Sequence, residues 1–362
     1  MLPFLCSFVR MKSGRRMRLC PWRLLLWGVL AGFCASCGGG LKGLLTPASS
    51  GRPYELLVVA EPKVWEHPAG RAWFEALDTD VPGLPQPERV FRLMHAAPRD
   101  LDATLRLTRN MLVLDVDGEK YPQAEFTYAR DVFAAPQLVV TLRVPGEDSL
   151  KAAAGRYAAS LVRLFTQEER RRRMDWLADH HNAEVERKVA EQFGCRVWVP
   201  TELASCKAGE NFFWAGTNRA TDDLNFVVYA YPYTGAEALT KAEFIHRRDS
   251  VMKENIPGAR AGMYMATDSL MTDVRLFILD GDTVCEARGL WQVKGDFMGG
   301  PFVSHARVDK ACGLVVVGEV FVYAPGRMNR NLIRSMEASL YTLRLPQDME
   351  IEGTKNTTLI NK

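Results

Sequence analysis

The sequence predicts an α+β protein: two related units, each a mainly antiparallel sheet with helices on one face, joined by a long helix. Three observations predict it. Apolar runs of strand length are separated mostly by short turn signals rather than by clean helix-length crossovers. Thr166 to Phe193 is a strongly charged stretch of helical composition that ends at Gly194, a residue suited to a helix C-terminus. The turn dipeptides of the first half also return, in the same order, in the second.

In the first half, Glu55 to Ala60 reads as a continuous apolar strand stopped by Glu61 and Pro62. A helix carrying Trp73, Phe74 and Leu77 follows and closes at Val81-Pro82-Gly83. Arg89 to Met94 alternates as a half-buried strand, and a short Asp/Leu helix spans about 99–107. Asn110 to Asp115 is a strand ending at the turn dipeptide Asp117-Gly118, followed by a more polar strand near 124–130. Gln137 to Val144 is a further apolar strand, broken by Pro145-Gly146. Asp148 then opens a helix whose stripe is Leu150, Ala154, Tyr157, Leu161, Leu164 and Phe165.

The second half carries the same punctuation. Cys195 to Pro200 and Asn211 to Ala215 read as short strands, and Asn225 to Pro232 echoes the first apolar strand and its proline stop. A helix from about Ala236 to Lys253 closes at Ile256-Pro257-Gly258. Val274 to Gly281 echoes the strand that ends at Asp117-Gly118. Leu314 to Tyr323 is broken by Pro325-Gly326, and Asn329 to Leu343 is a helix with stripe Leu332, Ile333, Met336, Leu340 and Leu343. Agreement of order and element type favours duplication of one unit over chance recurrence of common turns.

Ahead of both units stands an N-terminal leader. Arg10, Lys12, Arg15, Arg16, Arg18 and Arg23 precede an apolar run from Leu24 to Ala35, too short to be a stable span, and the small residues Ala35 and Ser36 precede Cys37. This resembles a bacterial lipobox, with Cys37 as the acylated residue. The chain is therefore expected to divide into a lipoprotein signal peptide (1–36), a flexible tether (37–53), a first α/β unit (54–166), a linker helix (167–194), a second α/β unit (195–345) and a disordered tail (346–362). Gly38 after the cysteine, and no acidic residue before Glu55, point to the outer membrane, lipid-anchored and facing the periplasm. The membrane, reached through lipid on Cys37, is thus the first expected partner.

Charge excludes one class of further partner. The chain has 46 Lys+Arg and 43 Asp+Glu. Removing the six basic residues of the leader leaves 40 against 43, a net charge of about −3. A nucleic acid is therefore not an expected partner; an envelope protein or glycan is.

Four cysteines remain beyond the leader. Cys195, Cys206, Cys285 and Cys312 allow Cys195–Cys206 with Cys285–Cys312 as the local pairing, in an envelope that permits oxidation, or four free thiols. The Arg170–Arg173 run follows Glu168 and Glu169 and is explained by helical i,i+4 pairing on a solvated face, with anionic headgroups or carboxylates as the functional alternative. Asp175, Asp179, His180 and His181 share a helix, but His181 falls on its apolar stripe, and no metal is expected.

The most site-like stretch runs from Trp291 to His305. Trp291, Asp296, Gly299, Gly300, Phe302 and His305 are the candidate ligand contacts, because glycines permit close backbone approach beside aromatic side chains. The same glycines suit a wide hairpin bend. No nucleophile elbow, zinc-helix motif or phosphate-binding loop occurs in the chain, and no cofactor is expected.

Together with the leader, the segments Tyr54 to Ala60, Asp80 to Pro85, Arg248 to Val251, Asn255 to Gly258, Asp296 to Phe302 and Phe321 to Pro325 resemble an uncharacterised lipoprotein family of Gram-negative, gut-type bacteria, a domain of unknown function. The resemblance covers most of residues 50–345 and implies an envelope address and a continuous fold. It brings no activity or catalytic residue. The expectation is a membrane-anchored envelope lipoprotein acting as a non-enzymatic binding or scaffolding module. The alternative is a hydrolase of a cell-envelope polymer using Asp296, Ser304 or His305, which requires those side chains to converge in one cleft.

Overall fold

β1 (Glu55–Val59) is buried at all five positions, and its neighbours explain why. It lies between β2 (Arg92–Ala96) and β3 (Asn110–Val116), parallel to both. β3 pairs in parallel with β5 (Leu138–Val144), and β4 (Glu125–Arg130) adds the antiparallel edge. The order is β2-β1-β3-β5-β4. The computed structural model describes residues 46–349. The expected leader, Cys37 and the tail beyond residue 349 lie outside the described residues.

The α+β class stands, but this first sheet is mostly parallel, against the expectation of an antiparallel one. The connection after β1 holds α1 (Pro62–Trp65) and α2 (Pro68–Leu77), and that after β2 holds two 3-10 turns. Both are long enough to bring the chain back in the same direction. The unbroken Leu-Leu-Val-Val of β1 is itself a parallel-strand pattern, buried on both faces. Leu56 and Val58 join the main core, while Leu57 and Val59 join a smaller cluster with Met111 and Val139.

The second sheet is antiparallel throughout, as expected. It contains β6 (Ser205–Gly209), β7 (Phe212–Gly216), β8 (Asp223–Pro232), β9 (Tyr264–Leu279), β10 (Asp282–Lys294), β11 (Gly299–Asp309) and β12 (Leu314–Tyr323), in the order β6-β7-β8-β12-β11-β10-β9. The segment at 195–200 makes only isolated bridges, through Arg196 and Pro200, and is not a strand.

Helices cover both faces of this sheet rather than one. α5 (Lys241–Asn255) packs Phe244 and Met252 with Phe302, Tyr229 and Trp291 on one side. On the other, α6 (Arg330–Leu340) packs Ile333, Met336 and Leu340 with Val303, Val316 and Val320. The strand order and strand directions of the two sheets differ. The repetition of punctuation therefore does not extend to a repeated topology.

Between the sheets runs α3 (Glu147–His180), a single helix of 34 residues. It passes straight through position 166, where a boundary was expected. The break comes at His181, after which Asn182 caps α4 (Ala183–Phe193) by accepting from the Glu184 and Val185 amides. Gly194 then ends α4 in the left-handed conformation at φ 65°, the role its position implied. Trp73 Nε1 donates to the Leu150 carbonyl at 2.9 Å and ties α2 to α3.

Residues 48–349 lie in one compact unit. Its largest core holds Leu142, Leu161 and Phe165 of the first half together with Val189, Val316 and Leu340 of the second. The end of the expected tether is docked: Ala48 bridges Ala135 and Ser50 bridges Thr108. The start of the expected tail is docked too, with Asp348 accepting from Arg307 at 2.6 and 2.9 Å. No helix among the described residues is long and apolar enough to cross a membrane.

Candidate ligand site at the seam

The segment that looked most like a site is mostly strand interior. Trp291 is buried, donates Nε1 to the Val322 carbonyl at 3.2 Å, and meets Phe321 edge-on at 5.7 Å. A Cβ on Gly300 would run into that same Val322 carbonyl, and one on Gly299 would come within 2.8 Å of the Trp291 carbonyl. The close approach these glycines permit is to neighbouring strands, so their chemistry is spent inside the sheet. Phe302 is buried against Phe244. Asp296 lies exposed in the β10–β11 turn, where its carboxylate accepts from the Phe297 amide at 2.6 Å.

The residues of the hydrolase alternative do not converge. Ser304 and His305 are adjacent in β11, and strand alternation sends them to opposite faces. Ser304 shares a face with Phe302 and Ala306 toward α5; His305 faces α6, edge-on to Tyr341 at 4.8 Å. His305 Nε2 lies 3.5 Å from Glu286 Oε2. Burial opposes the Glu286 charge, but His305, Arg288 and Arg275 beside it outweigh burial and hold its carboxyl well below the usual carboxylate range.

The four cysteines are free thiols. Burial pushes Cys195 up to about 12 and Cys285 up to about 11, which suppresses the reactive thiolate. Cys312 is exposed. Maleimide labelling of native protein, read by peptide mass spectrometry, is expected to modify Cys312 and to spare Cys195 and Cys285 until denaturant is added. Modification of Cys195 at the rate of Cys312 would contradict this packing.

His181 has partners within the chain: its Nε2 lies 2.9 Å from Glu186 and its ring stacks on Trp198. Among the described residues, no three His, Cys, Asp or Glu side chains gather as a metal site.

The arginine run of α3 turns out to be the useful signal. Its expected intrahelical pairs are present: Arg171 reaches Asp175 at 2.7 Å, and Arg172 reaches Glu169 at 3.0 Å. Yet the run is not one solvated face. Arg172 is buried and also donates to Asn110 Oδ1 at 2.8 Å. Arg170 lies 3.6 Å over the Tyr341 ring, and Arg173 lies 4.0 Å over Trp176. These contacts place the run where the two halves meet.

Of the recesses along that seam, two share Arg334. The larger, about 550 Å³, is lined by Arg163 and Arg170 of α3, Arg275 of β9, Arg288 of β10 and Arg334 of α6, with Phe277 and Tyr341 among its apolar walls. Its lining carboxylates are Asp80 and Glu337, and Glu337 is already held by Arg288 at 2.6 Å. The smaller, about 340 Å³, shares Arg334 and adds Arg109, Arg172, Arg173 and Glu169. Guanidinium groups in such excess favour anions, most strongly those that accept two hydrogen bonds from one fork. Because the lining comes from several separate segments, sequence spacing could not assemble it; the dense run Arg170–Arg173 was the visible trace.

Fold and seam together define an α+β protein with two joined halves and a basic face between them. Residues 49–177 are similar to a domain of unknown function, DUF8532, and residues 182–342 to a second, DUF4837. The gap between the two matches contains the helix break at His181. No curated protein matches the chain.

Proposed function

We propose that this protein is an envelope lipoprotein, held by lipid on Cys37 at the periplasmic side of the outer membrane, that works as a binding module for an anionic envelope ligand. The leader supports the address. One observation carries the binding role: five arginines against two carboxylates line a cleft of about 550 Å³ between the halves. A protein of slightly negative net charge concentrates positive charge there, which steers and holds anions. The aromatic rings of Phe277 and Tyr341 give a ligand body, such as a uronate ring, something to rest against.

The test is binding of polygalacturonate, with neutral dextran of equal length as control. Polygalacturonate is expected to bind, dextran is not, and raising salt should weaken the complex. The double variant Arg170→Glu/Arg275→Glu should weaken it by about tenfold or more, the equivalent of about 1.4 kcal/mol. Equal binding of both polymers, or no effect of the double variant, would sink the proposal. Loss of radiolabelled palmitate incorporation in Cys37→Ser checks the tether.

A further inference from the structure

We infer that the smaller recess is a seat for a dianionic phosphate group, an assignment that rests on the anion-binding reading above and names the ligand chemistry of one part of the seam. Four guanidiniums surround about 340 Å³: Arg109, Arg172, Arg173 and Arg334. The protein supplies no hydrogen-bond acceptor for the buried Nε of any of them. The lining carboxylate, Glu169, is already committed. It accepts from Arg109 Nη2 at 2.9 Å, Arg172 Nη1 at 3.0 Å and Asn110 Nδ2 at 2.6 Å.

Arg173 stands out within this set. Its guanidinium lies over the Trp176 ring, and the carboxylate that acts on it electrostatically is Glu202, outside the recess lining. Burial works against its charge, yet a guanidinium stays protonated. Holding such a group in partial burial is costly unless an anion completes it. Arg334 is similarly placed over the Tyr54 ring at 4.9 Å, with Glu337 as its nearby opposite charge.

The charge count selects the ligand. Glu169 offsets one of four positive groups within the recess; from beyond it act Glu202, Glu168, which lies 3.7 Å from Arg172 Nε but is shared with Arg130 and Arg171, and Glu337, which is held by Arg288, so an excess remains for the ligand. A carboxylate brings one charge and two acceptor oxygens. A phosphate monoester brings nearly two charges and three strong acceptor oxygens, a closer match to several guanidiniums around one recess. Glu88 already takes the amides of Asn329 and Arg330 at the start of α6, so the seat is built from side chains and not from that helix end.

The experiment uses the full lipidated chain in detergent and titrates inorganic phosphate against acetate at constant ionic strength. Tryptophan emission and thermal unfolding are both followed. Phosphate is expected to bind saturably and raise the midpoint of unfolding, with acetate at least tenfold weaker. Arg173→Gln should weaken phosphate at least tenfold, Arg173→Lys should restore part of it, and Trp176→Phe should abolish the emission change while binding persists in the thermal assay. Arg170→Gln, in the neighbouring cleft, should leave phosphate affinity within twofold.

Two further arms identify the source of the phosphate. Competition by glycerol 3-phosphate marks a soluble phosphomonoester, whereas binding only to phosphatidic acid vesicles marks a lipid headgroup. Acetate binding as tightly as phosphate, or Arg173→Gln binding phosphate normally, overturns the assignment. Polygalacturonate binding that survives such a failure leaves the larger cleft standing, so the two readings fail separately.

Discussion

Replacing Glu319 by leucine should cost about 3–5 kcal/mol of folding stability, because it strands a charge with no route to water. Arg248 of α5 and Glu319 of β12 are both completely buried, and they meet through Arg248 Nε and Nη2 at 2.9 and 2.7 Å. Arg248 Nη1 donates to Thr267 Oγ1 at 2.9 Å, and the Phe302 ring lies 4.2 Å from the guanidinium carbon. Thr267 is held in turn by Asp249, through its amide at 2.7 Å and its hydroxyl at 2.6 Å. The pair locks α5 onto the sheet in one position.

The double variant Arg248→Met/Glu319→Leu removes both charges and should recover most of the loss, since a packed apolar pair of similar volume is often as stable as the ion pair it replaces. Denaturant titration with an unchanged slope is the readout. A single-variant cost below about 1 kcal/mol would mean that water reaches the site and that the pair is not a buried lock.

The second large effect concerns dissection. A chain of residues 182–349 without 48–181 is expected to lose cooperative folding altogether. The family match suggests a cut at the helix break, but packing forbids it. Val316, Val320 and Leu340 share one core with Leu161 and Phe165 of α3, and removing α3 strips the side of α6 that it covers, the helix on which that face of the sheet depends. Truncating one large core side chain alone costs about 2–5 kcal/mol, comparable with much of a typical domain's net stability. Near-ultraviolet circular dichroism and the unfolding transition of the fragment test this. A sharp transition near that of the full chain would show the second half to be self-sufficient.

Several elements were legible because a local signal sufficed. β3, β5 and β12 are apolar runs bounded by turn residues, and Gly194 caps a helix as its position demanded. Strand direction in the first sheet left a trace only in the unbroken apolar run of β1; elsewhere it depends on where crossovers return the chain. The continuity of α3 past 166 was not legible. Glu168, Glu169 and Arg172 look like a solvated face, and their burial depends on partners such as Arg130 and Asn110 that lie far away in sequence.

The site shows the same divide. Gly299 and Gly300 announced close approach, but sequence does not say whether a ligand or a neighbouring strand does the approaching. The arginine run announced charge. Its recess needed Tyr54, Arg109, Trp176 and Arg334 to be brought together from distant segments.

α3 also bears on how this protein can change over generations. Its residues answer to two sheets at once: Leu150 sits beneath Trp73 of the first half, while Arg170 lies over Tyr341 of the second. A substitution there must be tolerated by both neighbours, and a compensating change in one half does nothing for the other. Drift should therefore be slowest along this helix and fastest in exposed turns that answer to fewer neighbours. If the halves began as separate pieces, as their separate family matches allow, the helix is where their histories became one.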